Sequence, residues 1–480
     1  RMRRRARALA REVVRLGPLV LLVALFCLPA CNCNSAAQCS GDLCSEQLAP
    51  GGVGRWTSIA GDDKRVMVAT YDQTFGDLLA VDATDASNLV YTVVDGVPGD
   101  ATPTHDTSGF RGGVEDPGPD VGAWTSIAMA NGTASISYQD RDMGALKLAR
   151  ENSPGSWSSY VVDAGNGEQV GAYSSLVFDG GGHPAIAYIA VGNDDGMGHR
   201  ITELRVARAS NSTPSESDWN IVPVASAPGT CAGLCGAGDS CVAPASAMDS
   251  ETCATPTSDC APACGGTDVC VAKACRAAIV DPTVEDLATG TGLFVSLVVM
   301  PDGRLAMAYY DRTRRALILD VESGSDTNQF TETVLDGGGP NDRGMWASAV
   351  VDSGGTIHIA YQDALGDQLM YMTWNSTAGT PEVADDGERM GDRTHSVGAA
   401  ASIYLVGDSP SIVYQDGATA DVYIATRSGS GWANSGLAVG PPLDGFSIAV
   451  TTAHGGTPVM AWDSLDVTQT PPNTLAVQSP

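Results

Sequence analysis

One short strand pattern recurs seven times along this 480-residue chain, and few folds can accommodate that. The copies open at Trp56-Thr-Ser-Ile59, Trp124-Thr-Ser-Ile127, Tyr173-Ser-Ser-Leu176, Phe294-Val-Ser-Leu297, Trp346-Ala-Ser-Ala349, Ala400-Ala-Ser-Ile403 and Gly445-Phe-Ser-Ile448. A serine stands at one place in each: Ser58, Ser126, Ser175, Ser296, Ser348, Ser402 and Ser447. A Gly/Asp turn follows, then a second strand ending in an aromatic. Six of the seven second strands close on an aspartate (Asp72, Asp140, Asp311, Asp363, Asp416, Asp463), and the third has Ala190 instead. A third strand comes next, as in Ala145–Ala149 and Asp421–Ala425, and then a fourth such as Tyr160–Asp163. Alternation is by twos, and no stretch carries a 3.6-residue period.

Four short strands per unit, taken seven times, predict an all-β chain: a seven-bladed β-propeller of four-stranded antiparallel blades. Glycine numbers 56, which suits a fold made of turns. Successive serines lie 49, 52, 54 and 45 residues apart in the plain intervals, but 68 after Ser58 and 121 after Ser175. The first excess, Val97 to Val121, is rich in Pro, Gly and Asp and reads as an exposed loop. The second holds a cysteine-rich module, residues 230–276, inserted after blade 3. The last unit stops after its third strand, Asn473–Val477, while residues 46–50 resemble a fourth strand. The propeller is therefore placed at 46–480, with its N-terminal strand closing the last blade and removing exposed edges.

The first thirty residues read as an export signal and are set apart from the fold. Seven arginines precede the apolar run Leu19–Phe26, which is short for a bilayer span. Leu28-Pro29-Ala30-Cys31 resembles a bacterial lipobox, with Cys31 as the lipidated residue and 31–45 as a tether. The other reading is plain cleavage after Ala30, leaving Cys31 to pair with Cys33, Cys39 or Cys44. The expected location is accordingly the outer membrane or cell surface, with secretion as the alternative. A membrane is touched only through that lipid. Without the signal the chain carries 20 basic and 55 acidic residues, a net of −35. Such a surface repels phosphate backbones, which excludes nucleic acid as a partner.

The string Asp352-Ser-Gly-Gly-Thr-Ile-His-Ile-Ala-Tyr-Gln-Asp363 resembles a repeat of bacterial and archaeal surface proteins, grouped loosely with the sialidase-like, Asp-box propellers. The resemblance spans residues 46–480 apart from the insertions, and implies the propeller but no activity. The Asp-box itself survives only as remnants without their aspartate, Ser153-Pro-Gly-Ser-Trp157 and Ser428-Gly-Ser-Gly-Trp432.

Sevenfold recurrence marks the serines as architecture, since catalysis breaks symmetry. Small residues suit the crowded axis, and a hydroxyl there can satisfy a backbone group of the next blade. The recurring aspartates read as turn caps that bond backbone N–H groups. Calcium on one or two of them stays open, although no Asp-x-Asp-x-Asp-Gly loop occurs, so the metal is unknown and no cofactor is assigned. No catalytic residue is assigned either. The six histidines share no repeat position, and no nucleophile elbow or P-loop appears. Arg141, Arg312, Arg314 and Arg315 follow second strands and could gather at one face.

Eight cysteines form two similar runs, Cys231, Cys235, Cys241, Cys253 and Cys260, Cys264, Cys270, Cys275. In an exported chain they predict four disulfides of undetermined pairing, with zinc as the weaker rival. The expected role is non-catalytic recognition of a protein or glycan. Two alternatives are a secreted carbohydrate-active enzyme and a structural scaffold. Three arginines, a tyrosine and a carboxylate at the channel mouth would favour the enzyme. A broad apolar patch on a blade edge or on the module would favour the scaffold.

Overall fold

The computed structural model describes residues 50–97, 118–194, 200–231, 235–243, 251–279, 289–325, 327–389, 391–453 and 455–479. The expected signal, Cys31, the 31–45 tether, residues 46–49 of the closing strand and most of the 97–121 loop lie outside them.

Seven antiparallel sheets stand in a ring, each in chain order from the axis outward. Blade 1 runs Val53–Gly61, Val66–Asp72, Asp77–Asp82 and Val90–Asp95. The inner strands of the others are Val121–Ala130, Gln169–Phe178, Leu293–Val299, Arg343–Val351, Val397–Val406 and Leu443–Ala453. Each touches the next, and the last touches the first, so the ring closes. Six blades have four strands; the seventh shows three among the described residues, Leu443–Ala453, Thr457–Leu465 and Asn473–Gln478. The chain enters between blades 7 and 1: Gly51 N–H donates to Asp72 Oδ2 of blade 1 at 2.6 Å and Gln73 N–H to the Gly52 carbonyl at 2.7 Å, while a Cβ on Gly52 would lie 3.6 Å from Asn473 of blade 7. No α-helix occurs among the described residues.

Second strands such as Val66–Asp72, Leu305–Asp311 and Ile357–Asp363 are buried along their whole length, because each blade is sandwiched between two others. Blades 4 and 5 interlock through Ala306, Ala308 and Leu319 against Ile357, Ile359 and Met372. Leu319, Ile357, Ile359 and Met372 each contribute about 1.5–3 kcal/mol of burial free energy, the alanine methyls less. Polar clasps then fix neighbouring blades at one height. Tyr138 donates to Asp95 at 2.5 Å, Tyr188 to Asp163 at 2.7 Å and Tyr361 to Asp336 at 2.5 Å, and Tyr414 binds Asp385 in the same way. Lys147, Arg205, Arg343 and Arg389 sit in the corresponding clasps. The 3–4 junction differs: Tyr309 turns to Asp320 of its own blade, at 2.8 Å.

Both insertions join an outer strand to the next inner strand, so both leave and rejoin the ring at the face where inner strands begin. The cysteine-rich one contains two hairpins, Ser240–Val242 with Thr252–Ala254 and Asp268–Val271 with Ala274–Ala277. Its bridges are Cys231–Cys241, Cys235–Cys253, Cys260–Cys270 and Cys264–Cys275. Each half pairs first with third and second with fourth, so the sequence repeat is also a repeat of covalent topology. The two clusters of three sulfurs in the module therefore consist of disulfide atoms rather than zinc ligands.

Candidate site at the channel mouth

Most of the recurring aspartates are committed to turns and neighbours. Oδ1 accepts from Thr74 N–H in Asp72, Met143 in Asp140, Arg314 in Asp311, Gly366 in Asp363 and Ala418 in Asp416. Oδ2 faces a second partner: Gly51, Lys147, Arg314, Arg343 and His395 respectively. Where blade 3 has Ala190, the hairpin does not turn; its strands run on to Asp194 and restart at Arg200.

The serines link inner strands. Ser126 Oγ accepts from Leu176 N–H at 2.9 Å, Ser175 from Leu297 at 3.0 Å, Ser296 from Ala349 at 2.9 Å and Ser348 from Ile403 at 3.1 Å. Ser58 Oγ lies 2.9 Å from Thr125 Oγ1, and Ser402 occupies the same register opposite Val413. Ser447 departs from the expected position. The partner of Phe446 is Asp463 and that of Ala449 is Ala461, whereas in blade 1 Arg55 pairs with Tyr71 and Ser58 with Ala69. Ala449 thus stands where the other blades have serine, and Ser447 stands where blade 1 has Trp56. By the same shift Ser464 takes the turn position and Asp463 the place before it.

The residue two before each serine is the feature that builds the site. Trp56, Trp124, Tyr173, Phe294, Trp346, Ala400 and, by the shifted register, Ser447 all have φ between 49° and 56°. That left-handed conformation costs a non-glycine residue of order 1–3 kcal/mol and persists where the surroundings impose it. It coincides with a bulge in the pairing to the second strand, for example between Arg55 and Ser58, which swings the side chain toward the axis. Two residues earlier stands a glycine in every blade, with positive φ. At Gly122 a Cβ would lie 2.7 Å from Leu78 Cα, and at Gly344 2.8 Å from Leu317 backbone, so the preceding blade packs directly on the glycine.

Five rings therefore form an arc across the channel. Successive centroids are 5.2 Å apart for Trp56–Trp124, 3.9 Å for Trp124–Tyr173, 4.8 Å for Tyr173–Phe294 and 4.5 Å for Phe294–Trp346. Ala400 and Ser447 complete the circle without a ring. The arc is a floor between two spaces: a deeper one of about 210 Å³ and a vestibule of about 520 Å³ open at the insertion face. The vestibule has the size of a small-ligand site. Its polar wall comes from Arg55, Arg312, Gln415, Asp463 and Asn473. Arg55 lies 4.1 Å over the Trp56 ring. Asn473 Nδ2 donates to both oxygens of Asp463, at 3.0 and 3.2 Å. Burial raises the Asp463 carboxyl to about 6, against the opposing pull of Asn473 and Arg55.

The vestibule is thus lined by two arginines, Tyr173 and one carboxylate. Arg141 reaches the edge of the mouth, 5.8 Å over the Trp56 ring, while paired with Asp120, whereas Arg314 and Arg315 turn to Asp311 and Glu332 and to Asp342. Among the described residues no large exposed hydrophobic lies on the cysteine-rich module.

No protein-family model and no curated protein matches the chain. Solved structures do. The polysaccharide lyase Uly1 is 10% identical with a TM-score of 0.48, over 90% of this chain and 90% of that one. The Hadza microbial sialidase Hz136 is 12% identical with a TM-score of 0.41, over 84% and 73%. A variant of NanB sialidase from Streptococcus pneumoniae is 9% identical with a TM-score of 0.38, over 86% and 82%. These are likenesses of fold alone.

Proposed function

We propose that this chain is a non-catalytic recognition propeller of the cell envelope that binds glycan in its channel-mouth vestibule. The observation that carries the reading is the aromatic floor: five rings on strained backbone, bordered on one side by Arg55, Asp463 and Asn473. A sugar ring is apolar on its C–H face and polar at its rim, which matches an aromatic floor with a polar wall. All seven blades hold this conformation, Ala400 and Ser447 included, so the strained backbone belongs to the propeller and what breaks the symmetry is the side chain: aromatic in five blades and small in two.

Glycoside hydrolysis is less well supported, because it uses two carboxylates flanking the scissile bond, and Asp463 is the one carboxylate among the residues lining the vestibule. Exposed sites of action fit the four disulfides, which persist in oxidising compartments. Attachment through Cys31 belongs to the same proposal.

A glycan array probed with the mature chain and with Trp346→Ala tests it. Binding that the variant loses supports the reading. Absence of any glycan binding, or equal binding by the variant, counts against it.

A further inference from the structure

The one-residue shift in blade 7 changes what a single side chain faces. In five blades the residue before the turn position is an amide or phenol that reaches the start of the next blade. Gln139 Nε2 donates to the Val170 carbonyl at 3.1 Å, Gln362 to Val397 at 3.0 Å and Gln415 to Asp444 at 2.8 Å. Tyr71 and Tyr310 donate instead to Asp120 and Asp342. In blade 7 the equivalent residue is Asp463, which has no proton to give a neighbouring carbonyl when ionised. It lies against Gly54 of the next blade, where a Cβ would come within 2.9 Å of its carboxyl carbon. It is held from its own blade by Asn473.

We propose that Asp463 is the residue by which the vestibule selects its ligand, accepting hydrogen bonds from two vicinal hydroxyls of an uncharged sugar ring. The inference rests on the glycan reading above and names the chemistry of that site. A carboxylate offers about four acceptor positions. The Asn473 amide spans both oxygens from one side and leaves the others for a ligand. The spacing of two carboxylate oxygens suits adjacent hydroxyls, as it suits the fork of an arginine.

Charge argues for a neutral ring. Facing Asp463 are Arg55 from the inner strand of blade 1, Asp444 from the inner strand of blade 7 and Asn473 from the third strand. Arg312 and Gln415 border the same space. Acid and guanidinium groups border the same space, so a ring of either charge would meet a like charge there: an anionic one Asp463, a cationic one Arg55 and Arg312. A neutral polyol, with hydroxyls that both donate and accept, brings no like charge against either sign. The aromatic arc takes the opposite, apolar face of the ring.

The test measures affinity of the mature chain for its array-selected glycans by calorimetry from pH 5 to 8, alongside Asp463→Asn. The substitution keeps shape and one of the two bonds from Asn473 while removing the charge. The expected results are preference for uncharged glycans, weakening of about tenfold in the variant at pH 7.5, and a wild-type affinity that falls as pH drops through 6. The variant's profile should be flat. Should the variant not fold, the wild-type pH profile and charge preference decide alone. Neutral glycans bound with a flat wild-type profile, or tighter binding of carboxylated glycans, would overturn the role of Asp463 and leave the glycan reading standing. No glycan bound at any pH would overturn both.

Discussion

Ser175→Ala should destabilise the ring without touching recognition. The Ser175 hydroxyl accepts from Leu297 N–H at 3.0 Å across the junction of blades 3 and 4. This junction lacks the interblade Tyr–Asp clasp, because Tyr309 is spent on Asp320, and is bridged instead by the buried Arg208–Glu322 pair at 2.9 Å, beside which the serine bond registers the inner strands. Alanine leaves the Leu297 N–H in a tight space with no acceptor, a loss of about 1–3 kcal/mol. Unfolding entropy of about 2.1 cal/mol/K per residue, taken over a ring of roughly 430 residues, converts that to a fall in Tm of about 1–3 °C. Differential scanning calorimetry would resolve it, with Ser175→Thr retaining the hydroxyl and most of the stability. A wild-type Tm in the alanine variant, accompanied by lost glycan binding, would refute the reasoning and place the hydroxyl in the site.

Three further outcomes follow from the same geometry. Gly344→Ala meets Leu317 backbone at 2.8 Å with φ of 116°, so it should cost about 2 kcal/mol or more, whereas Gly339→Ala, with nothing within 4 Å, should cost less in chemical denaturation. His395 donates toward Asp416 at 2.7 Å, and this bond raises its pKa above the ordinary 6.5. Its stabilisation is complete below 6.5 and fades as pH rises through the folded value, so the stability gap between wild type and His395→Gln should shrink from pH 5.5 to pH 8.5. Reduction of the four bridges, which span 10 to 18 residues, removes about 3 kcal/mol of loop restraint apiece. Limited proteolysis should then cut the module and spare the ring.

The blade number was legible because the aspartate and serine spacings repeat with the strands, and strands dictate the ring. Disulfide partners were not legible: eight cysteines in two runs admit several pairings, and only the hairpin geometry places first against third. Blade 7 shows why aligning on one residue type misleads. Ser447 matches the serine column in sequence, yet Gly445 precedes it by two residues, while Gly54, Gly122 and Gly344 precede their serines by four. The glycines carry a backbone requirement and so keep register; a serine can slide. Anchored on glycine, the sequence also points to the aromatic column and its gap at Ala400 and Ser447. The vestibule acid stayed hidden because Asp463 looks like five turn-capping aspartates until the pairing is known.

A crystal structure of the mature chain soaked with its tightest array glycan tests the recognition claim most directly. The account predicts a sugar ring over the Trp56–Trp346 arc with hydroxyls on Asp463. A sugar seated on the cysteine-rich module, or in the opposite-face groove lined by Asp352, Tyr404 and Asp408, would contradict it.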